Sequence, residues 1–130
     1  MQKLALDTNA YTALGRGSKS LAELISSAAY VGMPIVVLGE IHYGNFNGSL
    51  QQKNQTVLSN FLADSRVEIL HIDEQTARLF GEIATTLRSA GKPIQQDDIW
   101  IAALCKQYRY QLLTNDHGFG NILGLEVVAF

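Results

Sequence analysis

The alternation of short apolar segments with longer amphipathic segments limits the folds open to this chain more than any other feature. The apolar runs predict strands at residues 3–6, 35–38, 67–72, 111–114 and 126–130. Apolar residues at helical spacing predict helices at residues 20–30 and 73–91. A polar helical region is predicted over residues 39–47 and 51–63, and a further helix over residues 97–108. Strands that alternate with helices are joined by right-handed crossovers, which give a parallel sheet with helices on its faces. We therefore predict a three-layer α/β domain with a central parallel sheet of four or five strands.

Local signals set the boundaries of several of these elements. Gly32 and Pro34 are predicted to end the helix at residues 20–30, because both residue types disfavour a helix interior. The β-branched run at residues 35–38 is then typical of a strand covered on both faces. Asp73 is predicted to be the N-cap of a helix that stops at Gly91.

The length and composition are those of one globular unit. The chain has 130 residues, and we expect a single domain over residues 1–130. Hydrophobic residues make up 47% and charged residues 17%, which excludes a disordered chain. We find no signal peptide and no run of about 18 apolar residues, so we expect a cytoplasmic protein without membrane contact. The single cysteine, Cys105, lies in an apolar run and is predicted to be a buried thiol.

Acidic residues fall where the predicted strands end. Asp7 follows the first strand, Glu40 the second and Asp116 the fourth, while Asp98 opens a helix. Ligands of an open parallel sheet bind beyond the carboxyl ends of its strands, so these four side chains are expected to converge. Clustered carboxylates repel one another, and a hard divalent cation such as Mg²⁺ or Mn²⁺ removes that repulsion. One or two such ions activate water for attack on a phosphodiester, so the pattern indicates metal-dependent phosphoester hydrolysis.

Each acid also has a structural interpretation when taken alone. Asp7 can begin a turn, and Glu40 can be an acid in the first turn of a helix, where the helix dipole stabilises it. Asp98 can cap a helix, and Asp116 can be a solvated loop residue. Only their joint placement indicates a site.

The net charge of −2 does not exclude a nucleic-acid partner. With those four acids set aside, ten basic residues face eight acidic ones. Contacts with an RNA backbone are possible at four basic residues, for which an ordinary solvated surface is equally consistent: Arg16, Lys19, Arg88 and Lys92.

Four segments, in order, resemble the motifs of the PIN-domain toxins of type II toxin–antitoxin systems (VapC-like). They are Leu6-Asp7-Thr8-Asn9; Val37-Leu38-Gly39-Glu40-Ile41 with Tyr43-Gly44; Gly91-Lys92-Pro93-Ile94 with Asp98-Ile99-Trp100-Ile101-Ala102-Ala103; and Leu113-Thr114-Asn115-Asp116 with Phe119. The resemblance covers nearly the whole chain. It implies a three-layer PIN-like fold and the activity of a metal-dependent endoribonuclease. It also implies that the protein is a homodimer and that a cognate antitoxin holds it inactive.

The resemblance also implies roles for individual residues. The metal-holding and water-activating acids would be Asp7, Glu40, Asp98 and Asp116, with Mg²⁺ or Mn²⁺ as the cofactor. Asn9 and Thr114 would orient the acids or the substrate. Asp97 departs from the family pattern by placing a second acid beside Asp98, so it is either a supporting residue or a sharer of the metal role. Gly118 stands where many relatives have a further acid, which leaves Asp116 alone in its loop.

Two other interpretations remain open from the sequence. A catalytically inactive PIN-like module would bind RNA or protein without cleaving it. A receiver-type signalling domain would use Asp73, which follows the third predicted strand, as a phosphate acceptor, but the first strand offers Asp7 without a second adjacent acid.

Overall fold

The protein has a parallel sheet of five strands in the order β3-β2-β1-β4-β5. The structure is a computed structural model that describes residues 2–130. Its strands are β1 (Lys3–Leu6), β2 (Tyr30–Pro34), β3 (Val67–Leu70), β4 (Gln111–Leu113) and β5 (Val127–Val128). The sheet and its all-parallel pairing confirm the predicted α/β fold class.

Helices cover both faces of this sheet. They are α1 (Thr8–Gly15), α2 (Lys19–Ser27), α3 (Ile35–Phe46), α4 (Gln51–Leu62), α5 (Glu74–Ser89) and α6 (Gln96–Tyr108). Along β1, Leu4 and Leu6 pack into a core with α1 and α2, whereas Ala5 packs into the larger core with α3, α5 and α6. This alternation is the period of two that a strand imposes, and it produces the three predicted layers.

The prediction of a strand at residues 35–38 was wrong. The second strand is β2, and residues 35–38 form the first turn of α3. Val37, Leu38, Ile41 and Asn45 are the buried residues of α3, a spacing that belongs to one helix face. Burial of that face overrides the strand preference of the β-branched residues, which depends strongly on context.

Gly32 and Pro34 lie in β2 and do not end a helix. A Cβ atom on Gly32 would lie 2.9 Å from the ring of Tyr110, so close packing of that ring requires glycine here. Pro34 is the last residue of the strand and has the extended backbone that precedes α3. The preceding helix accordingly ends earlier than predicted, at Ser27.

The strands β3 and β5 are shorter than the predicted strands at residues 67–72 and 126–130. The N-cap role of Asp73 is confirmed, and its side chain forms a capping box with Thr76. Helix α1 and a short 3-10 helix at His117–Asn121 were not predicted. No helix in the described part of the chain has the length and apolar character that a membrane crossing needs.

Candidate metal and nuclease site

Asp7 stands at the carboxyl end of β1 and at the start of α1. It is the N-cap of α1, and its Oδ1 accepts a hydrogen bond from the backbone N–H of Ala10 at 2.8 Å. The residue is buried, with 5% of its surface exposed. Burial raises the pKa of the Asp7 carboxyl, as does the nearby charge of Asp116, while the bonds from Thr114 and Ala10 oppose the rise. Asp7 is therefore a fixed, desolvated carboxylate at the sheet edge.

Thr114 joins the ends of β1 and β4. Its hydroxyl donates to Asp7 Oδ2 at 2.5 Å and accepts from the backbone N–H of Asp116 at 3.0 Å. Asp116 in turn accepts at Oδ1 from the N–H of Gly118 at 2.8 Å, an Asx turn that begins the 3-10 helix. The buried hydroxyl of Thr114 thus sets the relative position of two acids that are far apart in sequence.

Glu40 lies in the second turn of α3. The prediction that it directly follows a strand was therefore wrong. Its Oε1 accepts a hydrogen bond from the hydroxyl of Thr8 at 2.8 Å. Because α3 begins immediately after β2, Glu40 still lies at the carboxyl edge of the sheet. Thr8 was not among the predicted site residues, although it stands between Asp7 and Asn9 in the first motif.

Asp98 lies in the first turn of α6. Burial raises the pKa of its carboxyl, and the charges of Asp116, Asp97, Glu40 and Asp7 raise it further, to about 6. Asp98 is thus within electrostatic range of each of the other three predicted acids. We use the name acid cluster for Asp7, Glu40, Asp98 and Asp116.

The negative charge of the acid cluster is not balanced by the protein itself. Within residues 2–130 the ion pairs join Arg66 to Asp64 and Arg78 to Glu82, and no lysine or arginine nitrogen is at ion-pair distance from the cluster. In the same part of the chain, no three His, Cys, Asp or Glu side chains are already drawn together into a coordination site. Mutual repulsion of uncompensated carboxylates opposes such an arrangement in the protein alone. An all-carboxylate donor set fits Mg²⁺ or Mn²⁺ better than softer metals.

Two open clefts lie at or beside the acid cluster: Asp98 and Asp116 line the first, and the second is lined in part by residues that lie within two positions of Asp7 and Asp116 in the sequence. The first, here the Asp98 cleft, has a volume of about 290 Å³ and is lined by Ile94, Gln95, Asp98, Asp116, Gly118 and Phe119. The second, here the Arg16 cleft, has a volume of about 550 Å³, and its polar lining is formed by Asn9, Thr12, Arg16, Ser18 and Asn115. Between them, the Asn9 amide donates to Asn115 Oδ1 at 3.5 Å. Asn115 was not among the predicted site residues, although it stands between Thr114 and Asp116 in the fourth motif.

Two further residues have structural roles. Asp73 caps α5 and also accepts a hydrogen bond from the Gln107 amide at 2.9 Å, so its carboxylate is engaged, unlike a free phosphate acceptor. Cys105 is buried as predicted, and burial raises the pKa of its thiol, which stays protonated.

Comparison with known proteins agrees with this architecture. Residues 4–124 match the family model described as PIN domain. Ribonuclease VapC2 of Haemophilus influenzae is 30% identical over 118 residues, which are 89% of this chain and 88% of the relative. The structure of VapBC2 from Rickettsia felis, bound to a DNA fragment from its promoter, aligns with a TM-score of 0.89 at 26% identity and covers 99% of both chains. The DNA-bound VapBC of Salmonella typhimurium aligns with a TM-score of 0.84 at 27% identity over 99% of this chain and 98% of that one. The resemblance drawn from the four motifs is confirmed.

Proposed function

The chain belongs to the PIN domain family, and from that premise we propose that it is a metal-dependent endoribonuclease, the toxin of a type II toxin–antitoxin pair. Relatives that cover most of the chain are named as ribonucleases, which supports RNA as the substrate. The single observation that carries the proposal is the placement of four acids from separate elements at one edge of the sheet, where Thr114 bonds to both Asp7 and the Asp116 loop, and Asp98 and Asp116 line one cleft. Such a concentration of charge opposes folding and is retained where a site needs it.

Asp7, Glu40, Asp98 and Asp116 would hold Mg²⁺ or Mn²⁺. When bound, a divalent cation of this kind lowers the pKa of a coordinated water and stabilises charge on phosphate oxygens. In residues 2–130 the carboxylate of Asp98 has no hydrogen-bond partner, which leaves both of its oxygens free for the cation. Asp7 and Asp116 each keep acceptor capacity beyond the hydrogen bonds they already accept.

The neighbouring polar residues orient these acids. Thr114 fixes Asp7 against the Asp116 loop, and Thr8 holds Glu40 at the same edge. Such outer partners fix the geometry and basicity of metal ligands. Asn9 is exposed two residues after Asp7, and we assign it a contact with the RNA substrate.

Cleavage of RNA by matched variants tests this proposal. The purified chain should cleave single-stranded RNA, lose that activity in EDTA, and regain it with Mg²⁺ or Mn²⁺. Asp98→Asn should reduce cleavage to background, whereas Asp97→Asn should retain a much larger share, since we assign the metal to Asp98. Glu23→Gln, which removes an exposed charge on α2, serves as the control for net charge. Undiminished cleavage in EDTA or by Asp98→Asn would contradict the proposal.

We further propose that an antitoxin docks on the hairpin of α3 and α4. Large apolar side chains are exposed there: Tyr43 at 73%, Phe46 at 62%, Leu50 at 56% and Val57 at 46%. Several large apolar side chains exposed on one helical hairpin are typical of a protein interface, and solved neighbours of this chain are VapBC complexes. Co-expression with the small protein of the adjacent gene should yield a complex that Tyr43→Ser with Phe46→Ser disrupts. If the double variant is recovered in complex with the small protein as efficiently as the wild type, the hairpin is not the docking surface.

The family resemblance also supports a homodimer that acts in the cytoplasm, where its RNA substrate is found. Light scattering of the purified chain should give about twice its mass of 14.3 kDa. A monomeric mass at micromolar concentration would contradict the proposed dimer.

A further inference from the structure

The Arg16 cleft lies directly beside the acid cluster, on the side of α1 and α2. Asn9 and Thr12 enter it from α1, Arg16 from the end of that helix, and Ser18 from the start of α2. Asn115, which also lines it, immediately precedes Asp116 of the acid cluster. The Arg16 cleft and the Asp98 cleft are therefore lined by consecutive residues of one loop. A strand that passes from one cleft to the other along this loop crosses Asn115 and Asp116.

The lining of the Arg16 cleft suits a sugar–phosphate backbone. Its side chains offer amide, hydroxyl and guanidinium donors. Arg16 is exposed, and in the described part of the chain its guanidinium forms no ion pair or hydrogen bond. A guanidinium has a planar arrangement of donors that matches phosphate oxygens.

The acid cluster gives a reason for a cation at this position. Four carboxylates that hold one divalent cation still carry a charge of about −2, which repels an approaching polyanion over the range of the Debye length, about 8–10 Å in physiological salt. A cation beside the cluster compensates for this repulsion and positions the strand, since phosphate contacts fix the register of a nucleic acid. In the described part of the chain, Arg16 is the one positively charged residue that lines either the Arg16 cleft or the Asp98 cleft.

We propose that the Arg16 cleft binds the backbone of single-stranded RNA next to the phosphate that is cleaved, with Arg16 contacting one phosphate. This inference rests on the proposed nuclease function and names the path of its substrate. Arg16 is a positioning residue, so its removal weakens RNA binding and leaves the metal site intact.

Binding is measured in the Asp98→Asn background, which holds RNA without cutting it. The probe is a fluorescein-labelled single-stranded RNA of mixed sequence, followed by anisotropy from 50 to 300 mM salt in the presence of Mg²⁺. Arg16→Gln should raise Kd about 5–10-fold at low salt and reduce the slope of log K against log salt by about 0.7, the value for one phosphate contact on a single strand. Arg16→Lys should keep most of the slope. Arg78→Gln, which removes an exposed arginine from α5, should change neither quantity.

Several results would overturn the inference. They are equal Kd and salt slope for Arg16→Gln and Arg78→Gln, equal affinity for a duplex of the same sequence, or loss of Mn²⁺ binding when Arg16→Gln is made in the wild-type chain. A chain that cleaves RNA but binds it independently of Arg16 contradicts this inference alone. A chain that binds RNA through Arg16 but never cleaves it contradicts the proposed function alone.

Discussion

Replacing Asp98 with asparagine should stabilise the metal-free protein while it abolishes cleavage. In the folded chain the pKa of this carboxyl is raised by burial and by neighbouring acids to about 6, above the 3.8 of an ordinary aspartate. The ionised form is therefore less favourable in the folded state than in the unfolded state. This cost is absent below about pH 4, grows between about pH 4 and 6, and is constant above that range. Asparagine fills nearly the same volume and carries no charge.

The size of the effect follows from that pKa. A carboxyl pKa of about 6 instead of 3.8 corresponds to about 3 kcal/mol at neutral pH. Solvent reaches Asp98, and screening reduces the figure to about 1.5–2 kcal/mol. Asparagine also gives up the attraction between a carboxylate and the first turn of α6, about 0.5 kcal/mol. The net gain in the free energy of unfolding is about 1 kcal/mol, or about 3–5 °C in Tm for a chain of this length.

Thermal unfolding followed by circular dichroism measures this gain. The wild-type chain, Asp98→Asn and the charge control Glu23→Gln are compared in EDTA at pH 4 and pH 8. Asp98→Asn should unfold about 3–5 °C above the wild type at pH 8 and at the same temperature at pH 4. Added Mn²⁺ should raise the Tm of the wild type and reverse the order of the two proteins. A variant that is less stable than the wild type at pH 8 in EDTA would refute the reasoning.

Three further substitutions test other parts of the structure. Thr114→Val removes the hydroxyl that bonds to Asp7; we expect loss of about 1–3 kcal/mol of stability and about 10–100-fold in activity. Thr114→Ser should retain both, as denaturant melts and cleavage assays will show. Gly32→Ala places a methyl group 2.9 Å from the Tyr110 ring, so chemical denaturation should show a loss of about 1–3 kcal/mol. Asp73→Ala removes the cap of α5 and should cost about 1 kcal/mol while leaving RNA cleavage unchanged.

Much of the fold and most of the candidate site could be predicted from local sequence. Asp7 and Asp116 each come within three residues of a strand end, so the order of elements alone places them at the carboxyl edge of the sheet. Asp98 was predicted near a helix start because acids favour first turns, and α6 begins two residues before it. These inferences need no knowledge of long-range packing.

The errors arose where distant packing decides the local structure. Gly32 is not a helix stop: it pairs with β1 and β3 as part of β2, and glycine is required there by the ring of Tyr110, which comes from a remote part of the chain. The apolar run at residues 35–38 is compatible with either a strand or the first turn of a helix. Its burial against the other helices decides in favour of the helix. The Arg16 cleft is formed by α1, the start of α2 and the loop after β4, so sequence spacing gave no sign of it.

The central claim is that Asp7, Glu40, Asp98 and Asp116 form one site for a divalent cation. Anomalous diffraction from crystals soaked in millimolar Mn²⁺ tests it most directly, because the scattering locates the ion without any assumption about activity. We predict a peak within coordination distance of Asp98 and at least one other member of the acid cluster, and no such peak in Asp98→Asn crystals. Full Mn²⁺ occupancy elsewhere on the protein, with none at the acid cluster, would contradict the account.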